Sequence, residues 1–512
     1  MPLPPILDRK RGRGLAVVAA LTLVQGVAAG AAAFATRALF EAMHQVGTLP
    51  VTSLAVLVSA GALIATTRIA ARVLGEKIGQ DYARQIRAAL FDHAAQMPAS
   101  AVAQRRAGYM SMRFVGDMTA FRNWLGLGLP RLVAGIVFIP TMVAVFWLLD
   151  PVLALAVMPV FAVTLLAITL GGLRLIPLQR RLRLRRARIA ADMAERMPMA
   201  PQLDRLGRRG KELAQLDKRT SAMVQVALRH RFSAETLRAL PDLAAGVAAA
   251  LVIYTGHRAA LGPGNIAAAL AVLGLLLSPL RDLGGVWNHR AAFRAAAIKA
   301  DAALSHPKRD LYRTRKGLAK GPVAVTFDAV ALPSGAVLDL QIAGRSDMVL
   351  PLCERDAQSV SAMLLELETP TAGRILLAGV DLRDLSRGTL RRKLNRITAQ
   401  PEILQGSLRR ALLMGCDDRP DDPTLDQLAR DAGLGPLIDR LGGLGGTVLE
   451  GGKTLTQTER LAISLTRIMV SPPKVLLIGP EVDDHIWARC SGSLPKNAAT
   501  IIKLRHQTAV VG

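Results

Sequence analysis

Cysteine is nearly absent from this 512-residue chain: Cys353, Cys416 and Cys490 are the three present, and no two of them form a CxxC pair. Three cysteines so spaced support neither a disulfide framework nor a cysteine zinc site, so the thiols read as reduced, cytosolic side chains and no metal is expected. Acidic residues are scarce too, 39 against 65 Lys+Arg, which leaves a formal net charge of +26. The shortage is concentrated in residues 1–300, with 15 Asp+Glu against 37 Lys+Arg, whereas residues 301–512 are near balance at 24 against 28. Glycine and lysine disappear altogether between Arg345 and Ala372. A loop that cradles phosphates needs glycines so that backbone N–H groups can approach closely, and a lysine to reach the β and γ phosphates. That stretch therefore lacks the means to build one.

What is abundant is apolar length. Hydrophobic residues make up 51% of the chain, high for a soluble protein of two or three domains. Apolar segments run over 15–40, 51–75, 126–149, 151–176, 238–256 and 264–285, each near the ~20 residues that span hydrocarbon. The first follows a short basic start and is longer than the ~7–15-residue core of a signal peptide, so it reads as a membrane helix. Nucleic-acid binding is one use of a basic chain. Here the arginines stand between apolar segments, as in cytoplasmic loops under the positive-inside rule, so the expected partner is the bilayer and no nucleic acid. The connections 76–125 and 177–237 are long, helix-patterned and Arg-rich, which places them and both termini in the cytoplasm. The run Arg180, Arg181, Arg183, Arg185, Arg186 and Arg188 suits either a solvated helix face or anionic lipid headgroups.

Residues 451–481 read helix, turn, buried strand: apolar positions Leu461, Ile463, Leu465 and Ile468, a break at Pro472-Pro473, then Val475 to Ile478. This block resembles the segment of ATP-binding cassette (ABC) transporters from the signature motif to the Walker B strand. Further matches lie in order along the chain. Residues 97–130, with Arg106, Gly108, Arg113 and Asp117, are similar to the family's first intracellular loop, and 195–213 to its second. Ala372-Gly373-Arg374-Ile375 and the run from Ile397 to Gln400 resemble the early sheet and the Q-loop, and His506 resembles the switch histidine. The resemblance implies a six-helix transmembrane domain of ABC exporter type over 1–310, a linker at 311–322 and an α/β P-loop-NTPase-like, degenerate ABC domain over 323–512; the basic pattern ahead of the first strand, Val325-Thr326-Phe327, reads as helical to about Lys320.

The family's chemistry is expected to be lost. Counting back from Pro370-Thr371, the phosphate-loop Lys falls at Ala357 and its Ser/Thr at Gln358 or Ser359, with the following helix containing Met363 to Leu367. Glu354 and Asp356 add carboxylates where a triphosphate would sit. No aromatic near Leu332 to Ser334 matches the one that stacks on adenine. Gly479 and Pro480 replace the Walker B acids, which hold Mg²⁺ and polarise water, and Glu481 is displaced by two positions. In the signature, Gln457 and Thr458 replace both glycines, Thr456 stands at the serine position and Glu459 adds negative charge. Gln400 and His506 are residual.

The resemblance thus implies an exporter-shaped membrane protein without ATPase activity, with no ATP or Mg²⁺ bound, acting as a structural, accessory or regulatory subunit. The alternative is the degenerate half of a heterodimeric exporter whose partner hydrolyses ATP. Expected partners are a second ABC half-transporter, as homodimer or heterodimer, or a different membrane complex, in a bacterial inner membrane.

Overall fold

Apolar length dictates the first half of the molecule and alternating buried strands the second. The structure is a computed structural model that describes residues 3–44, 49–103, 117–319, 321–398, 400–482, 487 and 499–506. It forms two compact units, one of Met1–Ala95 with Arg105–His306 and one of Gln96–Gln104 with Pro307–Gly512.

Among the described residues the first unit has six helical runs long and apolar enough to cross a membrane. They are α1 (Arg9–His44), α2 (Val51–Ala95), the run ending in α3 (Leu129–Leu149), α4 (Pro151–Arg196), α5 (Arg209–Arg258) and α6 (Pro263–Leu304). Each contains one expected span. The runs outlast the bilayer, however: α2 and α4 have 45 and 46 residues, which at about 1.5 Å per residue is more than twice a ~30 Å hydrocarbon layer. Much of the connections 76–125 and 177–237 is therefore a continuation of the spans. No proline interrupts 76–95, 178–196 or 210–237, and ion pairs one turn apart, such as Arg231–Glu235 at 3.0 Å, support the helix there; α4 stops at Arg196, and Gly207, at a left-handed φ of 67°, separates it from α5.

The expected tight turn at Asp150-Pro151 has a local cause. The Asp150 carboxylate accepts from the N–H groups of Val152 (2.8 Å) and Leu153 (3.2 Å), and Pro151 has no N–H to leave unpaired at the first helical position. Ahead of α3, a short helix Met118–Asn123 leads into a π turn, Trp124–Gly128. There Phe121 packs edge-on to Tyr82 and Phe293, with ring centroids 6.0 and 5.6 Å apart. Asp117 lies 3.7 Å from the Lys299 ammonium; Arg106, Gly108 and Arg113 lie outside the described residues.

The expected helical stretch to Lys320 does not form. Helix α6 ends at Leu304, Pro307 blocks its continuation, and the N–H groups of Arg313 and Lys316 bond instead to the carbonyls of Arg383 and Asp384, both at 2.9 Å.

In the second unit, β1 (Val325–Ala331), β2 (Val337–Ile342), β4 (Arg374–Leu377) and β5 (Val380–Asp381) make an antiparallel sheet in the order β2-β1-β4-β5. A parallel sheet follows the order β3-β10-β9-β6, from β3 (Asp347–Leu352), β6 (Leu394–Ile397), β9 (Val475–Ile478) and β10 (Thr500–His506), and β7 (Gly406–Ser407) pairs with β8 (Thr447–Val448) in a short antiparallel ribbon. All four residues of β9 are buried, as a near-continuous apolar run in a parallel sheet should be. Between the sheets and the helix α7 (Glu354–Leu364) lies one core holding Phe327, Val360, Leu364, Leu477 and Leu504. A second core gathers the helices α8 (Leu408–Leu412), α9 (Asp422–Asp431), α10 (Gly435–Leu441) and α11 (Gln457–Val470) around Leu425, Leu437 and Ile463.

Candidate functional site

Three junctions of the second unit carry the positions at which the sequence reading places nucleotide chemistry. At the first, β3 ends at Leu352 and α7 begins at Glu354, with Cys353 alone between them in extended conformation. No open loop stands there. The expected lysine position, Ala357, is fully buried and packs into the main core, Gln358 is exposed and donates to the Glu354 carboxylate at 3.2 Å, and Ser359 is half-buried on the next step of the helix. The helix also stops earlier than expected. It ends at Leu364, and Glu366 takes a left-handed φ of 55°, which Met363 to Leu367 as one helix would not allow.

Asp356 stands where the sequence reading places negative charge, and the fold explains how it is tolerated. It is 4% exposed and accepts a 3.1 Å hydrogen bond from the N–H of Ser334. Burial alone would raise its pKa, but hydrogen bonds from Ser334 and Cys353 and the charge of Arg355 hold it below the ordinary carboxylate range. With Glu354 it fills the first turn of α7, the helix end at which free N–H groups and the dipole attract an anion. The chain supplies that anion itself. The bond ties the turn at Ser334, where the sequence offers no adenine-stacking aromatic, to the start of α7.

At the second junction, Gly479 and Pro480 follow β9, and Glu481 turns back. A Cβ built on Gly479 would stand 2.5 Å from a carboxylate oxygen of Glu481, so the displaced acid returns its charge to the vicinity of the position it has left in sequence. There Thr398 donates to it at 2.5 Å, and the Gln400 N–H donates to the Thr398 hydroxyl at 3.1 Å. Thr398, 4% exposed, is the residue that links Q-loop and strand end; no periodicity or motif singles it out in sequence. Among the described residues no three His, Cys, Asp or Glu side chains gather where they could hold a metal. His506 closes β10, in register with Leu352 of β3.

The third junction is the N-terminus of α11. Thr456 is its cap: the Glu459 N–H donates to the Thr456 hydroxyl at 3.2 Å, and the Thr456 N–H donates to the Glu459 carboxylate at 2.8 Å. This reciprocal pair is a capping box. Gln457 and Thr458 are exposed, the Thr458 hydroxyl lies 3.0 Å from that of Thr456, and Arg440 pairs with Glu459 at 2.9 Å. The residues that break the signature pattern are thus a good local solution for starting a helix. Glu459→Ala should lower stability by about 1 kcal/mol, read as an earlier denaturation midpoint for the second unit, while Gln457→Ala should leave it nearly unchanged.

The family model of the ABC transporter transmembrane region matches residues 15–280. Similar curated proteins include the mycobactin import ATP-binding/permease protein IrtB of Mycolicibacterium thermoresistibile, 27% identical over 237 residues, which are 45% of this chain and 41% of that protein. The ATP-dependent lipid A-core flippase of Methylococcus capsulatus is 28% identical over 249 residues, again 45% of this chain and 41% of the relative. The match therefore spans well under half the length of these relatives. Among solved structures, a bacterial Atm1-family ABC exporter with ATP bound superposes with a TM-score of 0.78 at 19% identity, covering 98% of this chain and 92% of the other; at that identity the likeness is one of fold. With the family model covering more than half of its residues, the chain belongs to the family of the ABC transporter transmembrane region.

Proposed function

We propose that this ABC-exporter-like membrane protein neither binds nor hydrolyses ATP, and that it serves as a structural, accessory or regulatory subunit of a membrane assembly. The observation that carries the reading is Asp356, buried at the first turn of α7 and bonded to Ser334. A triphosphate brought to that helix end would meet a carboxylate in place of a glycine cradle and a lysine. The capping box at α11 and the absence of a Walker B acid at Gly479 and Pro480 support it independently. The second unit is accordingly a degenerate P-loop domain. The excess of arginine outside the apolar windows puts both termini in the cytoplasm, and the bacterial relatives favour a bacterial inner membrane.

A second reading, the weak half of a heterodimeric exporter, draws on Glu481. Its return over Gly479 leaves a carboxylate near the Walker B position, held by Thr398. In that case a partner half-transporter supplies hydrolysis. The named relatives are an ATP-binding/permease protein of mycobactin import and an ATP-dependent flippase, and this reading keeps the chain within such a machine.

MgATP titration of the purified full-length chain, followed by heat denaturation, tests the first reading. A ligand at one hundred times its Kd adds about 2.7 kcal/mol to stability, worth roughly 5–10 °C for a unit of this size. No shift at millimolar MgATP is expected. A shift of that size, or ATP turnover that disappears in Glu481→Gln, overturns the proposal, and co-purification of one stoichiometric ABC half with intact motifs decides for the second reading.

A further inference from the structure

Within the second unit, the turn that follows α7 holds two other stretches of chain. The Glu366 carbonyl accepts from the guanidinium of Arg309, the Leu367 carbonyl accepts from the Ala99 N–H at 2.8 Å, and the Glu368 carboxylate accepts from the Ser100 N–H at 2.5 Å. The two stretches are also tied to each other. The Arg309 N–H donates to the Gln96 carbonyl and the Lys308 ammonium to the Gln96 amide oxygen, both at 2.8 Å. Gln96 follows the end of α2 in sequence, and Pro307 comes shortly after the end of α6. The turn at Glu366 therefore grips the stretches by which the chain of α2 and that of α6 run on into the second unit.

The grip depends on a backbone shape and on a proton. Glu366 takes a left-handed φ of 55°, which a residue with a Cβ keeps only where its surroundings hold it. Its side chain is what the surroundings hold. The carboxyl is buried, and Oε1 has no hydrogen-bond partner among the described residues. A neutral carboxyl can stay in such a place, whereas a charged one with a bare oxygen is drawn to water. The groups that face it are the Tyr312 hydroxyl, the Arg309 guanidinium and the Arg387 guanidinium at the start of the helix Arg387–Lys393. Both cations have other engagements, Arg309 with the Glu366 carbonyl and Arg387 over the Tyr312 ring at 5.2 Å. The remaining charges are turned elsewhere or distant: Lys308 is on Gln96, Asp310 pairs with Arg313, and those of α7 stand in its first turn. Residues 96–103 carry no ionisable side chain. Burial outweighs the two cations and pushes the pKa of Glu366 up to about 7.

We propose that Glu366 is a proton-operated clasp: with its carboxyl protonated and buried, the turn stays closed on residues 96–103 and on Arg309, and loss of the proton to solvent carries the carboxylate out to water, relaxes the left-handed turn and lets both stretches go. The device needs no nucleotide and does not depend on how the candidate site is read.

Hydrogen–deuterium exchange of the full-length chain in neutral detergent tests it, followed by mass spectrometry on peptides covering 96–103, 307–316 and α11. Rates at pH 6 and pH 8 are corrected for the intrinsic pH dependence of amide exchange. The ratio of closed to open clasp should fall about tenfold between the two, the effect of standing one pH unit above a pKa near 7. Peptides 96–103 and 307–316 should lose about that much protection and, at pH 8, exchange ahead of α11. Glu366→Gln cannot ionise and should keep its pH 6 protection at pH 8. Glu368→Gln weakens the acceptor of the Ser100 N–H without touching the buried carboxyl, so it should lower protection of 96–103 at both pH values and leave the pH dependence of 307–316 in place. Protection of α11 reports whether each variant is folded, and the wild-type comparison decides by itself where one is not. Equal wild-type protection at the two pH values, the same loss in Glu366→Gln, or loss of the pH dependence in Glu368→Gln would overturn the proposal. So would exchange of the clasp peptides only in step with α11, since Glu366 would then act on the stability of the whole unit and open nothing locally.

Discussion

Replacing Glu366 by Gln is expected to raise the heat-denaturation midpoint of the second unit at pH 8 and to leave it almost unchanged at pH 4. Glu366 is 5% exposed, and among the described residues its Oε1 atom has no hydrogen-bond partner. Burial pushes its pKa up to about 7 from an ordinary 4.5; the hydroxyl of Tyr312 and the charges of Arg309 and Arg387 oppose the rise but do not cancel it. In the unfolded chain the group ionises near pH 4.5, whereas the folded chain holds its proton to about pH 7. Between these values the folded state carries the extra proton, so stability is fully present below the lower pKa and is lost as pH rises through the upper one. A gap of that size corresponds to about 3 kcal/mol at most, or roughly 5–10 °C for a unit of this length. Glutamine keeps the shape and cannot ionise. Scanning calorimetry of the full-length chain between pH 4 and 8 checks it: parallel curves for wild type and variant across that range would show that Glu366 titrates normally.

This buried glutamate was beyond reach of the sequence. In the run from Leu364 to Glu368 two glutamates alternate with leucines, and nothing in the pattern tells which is covered. The coverage comes from the left-handed turn at Glu366 and from Arg309, whose guanidinium donates to the Glu366 carbonyl. Contacts this distant in sequence leave no local signal. The six spans were legible because a membrane imposes one length on every apolar window. The ends at Val51, Leu149 and Pro151 were legible too; the far ends of α2, α4 and α6 and the start of α5 were not, since polar helix formers continue these helices beyond the apolar window with no proline to stop them. Helix α11 and strand β9 were legible from the 3.6-residue spacing of Leu461, Leu465 and Ile468 and the unbroken apolar run at Val475. At the candidate site the sequence yielded which residues are missing. What replaces them, the Asp356–Ser334 bond, the Thr456–Glu459 box and the return of Glu481 to Thr398, depends on side-chain directions that residue order does not encode. The start of α7 at Glu354 is the instructive case. The resemblance implied a loop there, yet Glu354, Arg355, Ala357 and Gln358 favour helix and the acids Glu354 and Asp356 suit its first turn, and local preference prevailed.

Gly79→Ala and Gly61→Ala, the same substitution on the same helix, are expected to act with opposite signs. A methyl at Gly79 would stand 2.5 Å from the Arg122 carbonyl oxygen and 2.9 Å from the backbone N and Cα of Gly126, and one at Gly75 2.6 Å from the Gly126 carbonyl oxygen. These atoms are backbone, so no side chain can swing aside; α2 and the π turn Trp124–Gly128 would have to part. Small residues one turn apart are what allow such close approach between membrane helices. Separating them would disturb the packing of Tyr82 on Phe121, and overpacking of this kind costs about 3 kcal/mol. Gly61 has nothing within 4 Å of its added methyl, so there alanine acts through helix propensity and should stabilise by up to about 1 kcal/mol. The measurement is the fraction of full-length chain that remains monodisperse in detergent after heating. If Gly79→Ala survives as well as Gly61→Ala, the close contact of α2 with the π turn does not hold the first unit together. Survival of Gly61→Ala with loss of Gly79→Ala would place the limit on stability in that backbone contact, since the two variants differ only in what the new methyl meets.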